Sequence, residues 1–339
     1  VQDGDRVFSA ARVLVESCIG LRPGERLVVL CDGASQELGA TIVRAVQEAD
    51  GWARTLNLDD RPRPLRVLPD EAFAVLREAA ASCFVARGLP RELGLRQQVL
   101  HLVKEYRLRH AHMPSITEAS FVRGLAVDYR IVRASGEAAL RVLERSEGVL
   151  RVRSERGTDL TVTLPRGARW HAQLGRLEAG RWGNLPAGAL YATVEWASGI
   201  VVVDASLGEF FGAKEGVLAD KPVVLCIDGG RVVSVDARAG RAPADAKELE
   251  DAIFATLRCG AGSDRVGLVA LGVNEGIDGP TGLAIVDQNL PGLHVGIGDP
   301  AAHATGATWS APTCFAACLA RSQVSVDGRV IVRDGRVLA

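Results

Sequence analysis

Residues 26–32 read RLVVLCD and residues 35–49 read SQELGATIVRAVQEA, and this pair decides the first half of the chain. A continuous apolar run that ends in turn residues is the pattern of a strand buried on both faces. Behind it, Leu38, Ile42, Val43 and Val46 recur at helical spacing. The unit is therefore a strand, a turn and a helix. Working outward, the spacing predicts strands at 52–58 and 82–86 and helices at 70–80 and 92–107, with helical segments at 5–18 and 115–128 beside them. Strands alternating with helices predict a doubly wound, mainly parallel α/β domain over residues 1–134.

The texture changes at Ala134-Ser135, where the domain boundary is placed. After a helix at 136–146, short runs pair as hairpins: 149–154 with 159–164, 190–196 with 200–204, and 222–227 with 231–236. Gly229-Gly230, Asp327-Gly328 and Asp334-Gly335 supply dipeptides suited to tight antiparallel turns, whose central residues take positive φ. A helix at 244–258 is marked at its start by Pro243. Residues 135–339 thus read as a β-rich α+β domain.

With 40 basic and 41 acidic residues, the net charge of -1 provides no steering field for a phosphate backbone, so no nucleic-acid partner is expected. No apolar run approaches the roughly 20 residues that cross a bilayer. Residues Val1–Asp5 lack the basic-then-apolar order of a signal peptide, so no membrane partner and a cytoplasmic location are expected. Seven cysteines, an odd number scattered through apolar segments, read as reduced core thiols and not as a disulfide framework.

Local motifs give little chemistry. The turn Cys31-Asp32-Gly33-Ala34-Ser35 lies where open α/β sheets bind ligands, yet it has neither a dinucleotide glycine fingerprint nor a P-loop lysine. His110 and His112, two apart in an extended segment, share one face, but no third donor follows at a ligand spacing, which favours a structural role. Cys314 and Cys318 stand four apart in CFAACLA, read here as helical, and core packing is the simpler account of both. Neither a G-x-S-x-G elbow nor an H-E-x-x-H helix is present.

Five motifs in the second half are more specific: GTDL at 157–160, NLPAG at 184–188, RVGLVALGVN at 265–274, GLHVGIG at 292–298 and DGRVIVRDG at 327–335. Their order and spacing resemble the thermophilic-type metallo-aminopeptidases (aminopeptidases T and S), whose wider fold group includes the iron-dependent 2,5-dihydroxypyridine dioxygenases. The resemblance implies that architecture over most of the chain, and a homodimer. It also implies a two-metal site in a cleft between the domains, fed by carboxylates and imidazoles from these motifs. At the implied ligand positions this sequence has Ala189 and Leu268 in place of two Glu, retains His294, has Ala301 for a Tyr, and aligns Thr313 and Phe315 with an H-x-D pair.

One imidazole cannot hold a catalytic ion. The expectation is therefore a non-catalytic protein without metal or cofactor, holding a peptide in a groove lined by Ala189, Tyr191, Trp196, Leu268, His294, His303, Trp309, Thr313 and Phe315. A further resemblance, to the peptide-binding proteins of crocagin-type ribosomal peptide biosynthesis, implies a precursor peptide as ligand and a modifying enzyme as partner. Two alternatives stand beside it. One is a metal-dependent peptidase or ring-cleaving dioxygenase with ligands rearranged around His294 and His303, helped by Asp299 or Glu209. The other uses His294 as a metal-free general acid or base.

Overall fold

The computed structural model describes residues 3–339, the side chains of Asp3 and Pro90 excepted. In chain order the first elements are α1 (Asp3–Arg12), continued by a π-helical turn Val13–Ile19, then β1 (Arg26–Cys31), α2 (Gln36–Glu48), β2 (Trp52–Asn57), α3 (Asp70–Arg77), β3 (Ala81–Phe84), α4 (Leu93–Glu105), β4 (Arg109–His112) and α5 (Glu118–Leu125). There follow α6 (Tyr129–Leu143), β5 (Val149–Arg153), β6 (Asp159–Thr163), β7 (His171–Gln173), β8 (Arg181–Asn184), β9 (Ala189–Thr193), β10 (Trp196–Val203), β11 (Ser206–Leu207) and α7 (Glu209–Glu215). The last are β12 (Val223–Asp228), β13 (Arg231–Asp236), α8 (Pro243–Leu257), β14 (Val266–Gly272), α9 (Ala284–Asp287), β15 (Gly292–Gly298), α10 (Ala302–Thr305), β16 (Cys314–Cys318), β17 (Gln323–Val326), β18 (Arg329–Arg333) and β19 (Arg336–Val337).

The chain forms two compact units. One comprises 1–129 and 175–187, the other 130–174 and 188–339. The division at 129/130 falls close to the boundary read from sequence. The return of 175–187, which carries β8, to the first unit has no counterpart in that reading: a four-residue strand centred on Trp182-Gly183 gives too short a pattern to show which sheet it joins.

In the first unit the strand order is β2-β1-β3-β4-β8, with every pair parallel. Alternation sends Val28 and Leu30 into a core with Leu76, Leu95, Val99 and Leu102 of α3 and α4. Val29 and Cys31 face α2, where Gly39 lets the helix approach: a Cβ there would stand 3.4 Å from that of Cys31. Burial on both faces explains the unbroken apolar run of β1. Each such aliphatic side chain contributes about 1.5–3 kcal/mol when fully buried.

The order reverses at β1 and β3, the place where a doubly wound sheet commonly binds ligands at its carboxyl edge. Here charged side chains of the chain itself fill that place. Asp32, fully buried, accepts from Arg63 Nη1 (2.6 Å), Arg87 N (3.0 Å) and Arg87 Nε (2.8 Å) on one oxygen and from Ser35 N (3.1 Å) and Oγ (3.0 Å) on the other. Arg63 also grips Glu92 through Nε (2.9 Å) and Nη2, and Glu92 accepts the Leu65 amide at 2.6 Å. Burial acts to raise the Asp32 carboxyl, but the hydrogen bonds from Arg87, Arg63 and Ser35 outweigh it and bring it to about 2. In Glu92 burial is likewise outweighed, by Arg63 and the Leu65 amide, and its carboxyl lies below the ordinary range.

The second unit is built from two sheets. Eight strands run β13-β12-β10-β6-β5-β17-β18-β19 and six run β11-β16-β15-β14-β9-β7, all pairs antiparallel. Alternate residues from both sheets (Leu150, Val162, Val201 and Leu225 from one, Leu190, Val269, Val295 and Ala317 from the other) share a single apolar core, joined by Leu249, Ile253 and Leu257 of α8. The three hairpins read from Gly229-Gly230, Asp327-Gly328 and Asp334-Gly335 are present, each with positive φ at both turn residues. Helix α8 begins at Pro243 as expected.

Several expectations are corrected. Segments 190–196 and 200–204 form no hairpin: β9 pairs with β14 and β7, whereas 196–203 is one continuous strand, β10, in the other sheet. Gly199, inside β10, has a φ of 135 and permits close packing, since a Cβ there would stand 2.1 Å from the Asp159 carbonyl oxygen. The CFAACLA segment is strand β16 and not helix. Four-residue spacing is compatible with one face of either element, and sheet pairing to β15 decides it. Helix α6 starts at Tyr129, well before the expected 136.

Arg63→Ala would strand two buried carboxylates, and we expect a loss of about 3–5 kcal/mol in urea unfolding near neutral pH. Both carboxyls titrate below their ordinary values in the folded state. Their contribution is therefore complete above the ordinary carboxylate range and is lost as pH falls through the folded values. The difference between wild type and variant should narrow in acid; a difference independent of pH would refute the ion network as its source.

Candidate functional site

The implied ligand positions cluster on the six-stranded sheet, and strand parity decides which of them can share a face. Residue pairs Ala270↔Tyr191, Ala270↔His294 and Ser206↔Cys318 are directly opposite, and the register Val295↔Ala317 carries His294 to Cys318. One row therefore runs Tyr191, Ala270, His294, Cys318, Ser206. The next row, two residues along, is Thr193, Leu268, Gly296 and Ala316. Both lie on the face away from the apolar core, because the intervening residues Leu190, Ala192, Val269, Leu271, Val295 and Ala317 are in it. Ala189, opposite Gly272, shares this outer face and is fully buried.

His294 is buried and both its ring nitrogens are committed to backbone. Nε2 lies 2.9 Å from the Leu290 carbonyl oxygen, which can only accept, and Nδ1 lies 3.1 Å from the Leu319 amide, which can only donate. These partners dictate a neutral ring carrying its proton on Nε2. Burial pushes the imidazole down to about 4, against the raising effect of the Leu290 carbonyl. With the Nδ1 lone pair taken by an N–H, neither nitrogen is left for a metal or for proton transfer.

Around it the other donors are muted. Burial raises the Cys318 thiol and the Tyr191 phenol above their ordinary values, so both are protonated at neutral pH. Asp287, at the end of α9, is fully buried beside Ser206 and Cys318. It accepts from Thr281 N (2.7 Å), Thr281 Oγ1 (2.7 Å) and Gly282 N (3.0 Å), and burial raises its carboxyl in spite of them. Leu268 lies over Gly296: a Cβ on that glycine would stand 2.6 Å from Leu268 Cδ1. Tyr191, Leu268 and Ala316 are half-buried and Cys314 is exposed, so this part of the face is open.

The structure does not bring all the sequence candidates together. Phe315 points the other way, into the core, its ring 5.7 Å from that of Phe211, because odd-numbered residues of β16 face inward. The site-facing positions of β16 are Cys314, Ala316 and Cys318, which corrects the alignment of Thr313 and Phe315. Thr313 precedes the strand, and its hydroxyl is buried with no hydrogen-bond partner among the described residues. Trp196 is an exposed residue of β10, in the eight-stranded sheet. Trp309 stacks under the Arg265 guanidinium, 4.2 Å from ring centroid to Cζ, and against Gly262 in the turn before β14. His303 is exposed on α10. Asp299 is spent on backbone, accepting the Ala301 amide (2.8 Å) and the Ala311 amide (3.0 Å), which holds Ala301 at φ 52.

The donor set does not fit the metal centre implied by the resemblance. Carbon side chains stand at 189, 268, 270 and 316, and the retained imidazole has no free lone pair. Among the described residues no group of three or more His, Cys, Asp or Glu side chains is placed to hold an ion. His110 and His112, in the first unit, do share a face as expected. His110 Nδ1 is 2.8 Å from Ser82 Oγ and its Nε2 is 3.4 Å from His112 Nδ1, and burial lowers both imidazoles. Sequence reading missed Asp32, Arg63 and Asp287 as buried polar groups; Asp32 is joined to Arg63 and Arg87, 31 and 55 residues away in the chain, and no local pattern announces them.

The architecture these units define is the mixed α/β, aminopeptidase T/S-like one, matched over the whole chain. The structure is similar to 2,5-dihydroxypyridine dioxygenase from Pseudomonas putida KT2440, with a TM-score of 0.66 and 17% identity, covering 100% of this chain and 98% of that one. It is equally similar to wild-type AmpT from Thermus thermophilus, with a TM-score of 0.66 and 16% identity, covering 99% of each chain. Identity this low shows the shared fold alone. No protein-family model and no curated protein matches the sequence.

His294→Ala would orphan the Leu290 carbonyl and the Leu319 amide, and should cost several kcal/mol of stability at neutral pH. In the wild type the depressed imidazole makes the unfolded chain the better proton acceptor between its ordinary value and about 4. Stability is therefore complete above that window and falls by about 3 kcal/mol across it from this group. Denaturant titrations at several pH values should show a shallower acid slope in the variant. Equal slopes would mean that His294 is solvated or charged in the folded protein.

Proposed function

We propose that this chain is a non-catalytic, metal-free peptide-binding protein that uses the open part of the outer face of its six-stranded sheet. The observation that carries the reading is the commitment of both His294 nitrogens to backbone beside Leu268, Ala270 and Ala316. Where a hydrolytic centre needs carboxylates and free imidazoles, this face offers a dry aliphatic floor, bordered by Tyr191. Such a floor accepts apolar side chains of an extended ligand, and Trp309, stacked on Arg265 just before β14, adds an aromatic contact. In the finer form of the proposal the ligand is a precursor peptide of ribosomal natural-product biosynthesis, presented by a cytoplasmic homodimer to a modifying enzyme. Its support is the motif resemblance and the altered ligand positions. Among the described residues no helix is long and apolar enough to cross a membrane.

A second reading draws on the whole-chain likeness to AmpT and the dihydroxypyridine dioxygenase: a metalloenzyme whose ligands are rearranged around His294 and His303, helped by Asp299 or Glu209. It requires His294 to give up a backbone bond and, where Asp299 takes part, requires that carboxylate to leave two backbone amides. Elemental analysis of protein purified without chelator separates the two, since near-stoichiometric zinc, iron, cobalt or manganese supports this second reading.

Calorimetric titration with candidate precursor peptides should give the same affinity with and without chelator. Leu268→Lys, placed on the half-buried floor, should weaken binding at least tenfold, about 1.4 kcal/mol. Binding abolished by chelation, or indifferent to the Lys substitution, would overturn the proposal.

A further inference from the structure

Strand β2 ends the five-stranded sheet of the first unit, and its outer edge is unpaired among the described residues. The Trp52 amide donates to the Glu25 carbonyl at 2.9 Å, which turns the backbone of Trp52, Arg54 and Leu56 toward β1. By alternation the N–H and C=O groups of Ala53 and Thr55 point outward. Edge strands in stable proteins are commonly shortened, bulged, covered or charged along their length. This one has six residues in continuous register with β1 and one charged side chain, Arg54.

Beneath the edge is a groove of about 340 Å³ lined by Val28, Trp52, Ala53, Arg54, Ala74 and Val75, with Arg26 and Glu78 at one end. Trp52 is 69% exposed, the most exposed large hydrophobic residue among those described. Arg26 is paired with Glu78, whereas Arg54, on the same face as Trp52 two residues on, has no ion pair among the described residues. A free strand edge, an apolar groove with an uncovered indole and an unopposed guanidinium thus stand within three consecutive residues.

We propose that β2 is an acceptor for an extended acidic peptide added as a sixth strand, with an apolar side chain seated against Trp52 and the next side chain on that face, a carboxylate, paired with Arg54. Main-chain bonds to Ala53 and Thr55 supply the register, and the groove and guanidinium supply selectivity. The site shares no residue with the six-stranded sheet, so it stands or falls separately from the function proposed above.

The test uses the full chain and a fluorescein-labelled nonapeptide, Ser-Thr-Leu-Thr-Glu-Thr-Leu-Thr-Ser, whose symmetry presents Leu and Glu on one face in either strand direction. Anisotropy should show saturable binding. Thr55→Pro removes an outward donor without touching the β1 ladder and should weaken binding at least tenfold, as should Trp52→Ala. Arg54→Glu should lose the acidic probe and gain one in which the central Glu is replaced by Lys, a charge swap that a misfolded variant cannot reproduce. The proposal is overturned if wild type does not bind the probe, if the charge swap has no effect, or if sedimentation shows a dimer that Thr55→Pro converts to monomer, which would mean a second copy fills the edge.

Discussion

Two hydrogen bonds to one imidazole govern the chemistry of the second unit. A carbonyl on one side of His294 and an amide on the other, both fixed by β-structure and the adjoining turns, leave the ring no choice of tautomer and no lone pair. In a buried site that satisfaction is obligatory, because an unpaired ring nitrogen would cost its full desolvation penalty. The residue that most resembles a surviving ligand is thereby a fastener between the turn at Leu290 and the end of β16. The same demand shapes its neighbours. Asp287 closes the Thr281–Gly282 turn, and Cys318 and Tyr191 remain neutral because burial opposes their ionisation.

The first unit meets the same constraint with charge. Its switch point, where a doubly wound sheet has its natural crevice, is occupied by Asp32, Arg63 and Glu92, each satisfied by the others and by backbone. A buried ion network of this kind adds little net stability over an apolar plug, but removing one member exposes the cost of the rest. Both units thus commit their internal polar groups to one another and to backbone. In the proposals made above, recognition falls to the aliphatic outer face of one sheet and to the open edge of another.

Period-2 alternation accounts for where the candidate residues of the second unit lie in the structure. Ala189, Tyr191, Leu268 and His294 were chosen by motif, and β9, β14 and β15 bring them to one face. Phe315 was one residue out of phase, which in a strand means the opposite face and a place in the core. Trp196 was assigned to the same hairpin as Tyr191, yet the chain crosses between sheets at Val194-Glu195, and nothing in the local pattern marks a crossing.

By itself the sequence determined what short-range physics can encode. The buried β1 run, the amphipathic α2, the Pro243 start of α8 and three positive-φ turns are each specified by residues within a few positions of one another. Only the tertiary structure decided which sheet β8 and β10 join, which face of β16 looks outward, and that His294 is held by Leu290 and Leu319. Those outcomes depend on hydrogen bonds between strands distant in the chain. A side chain's protonation and availability follow from partners that spacing along the sequence does not reveal.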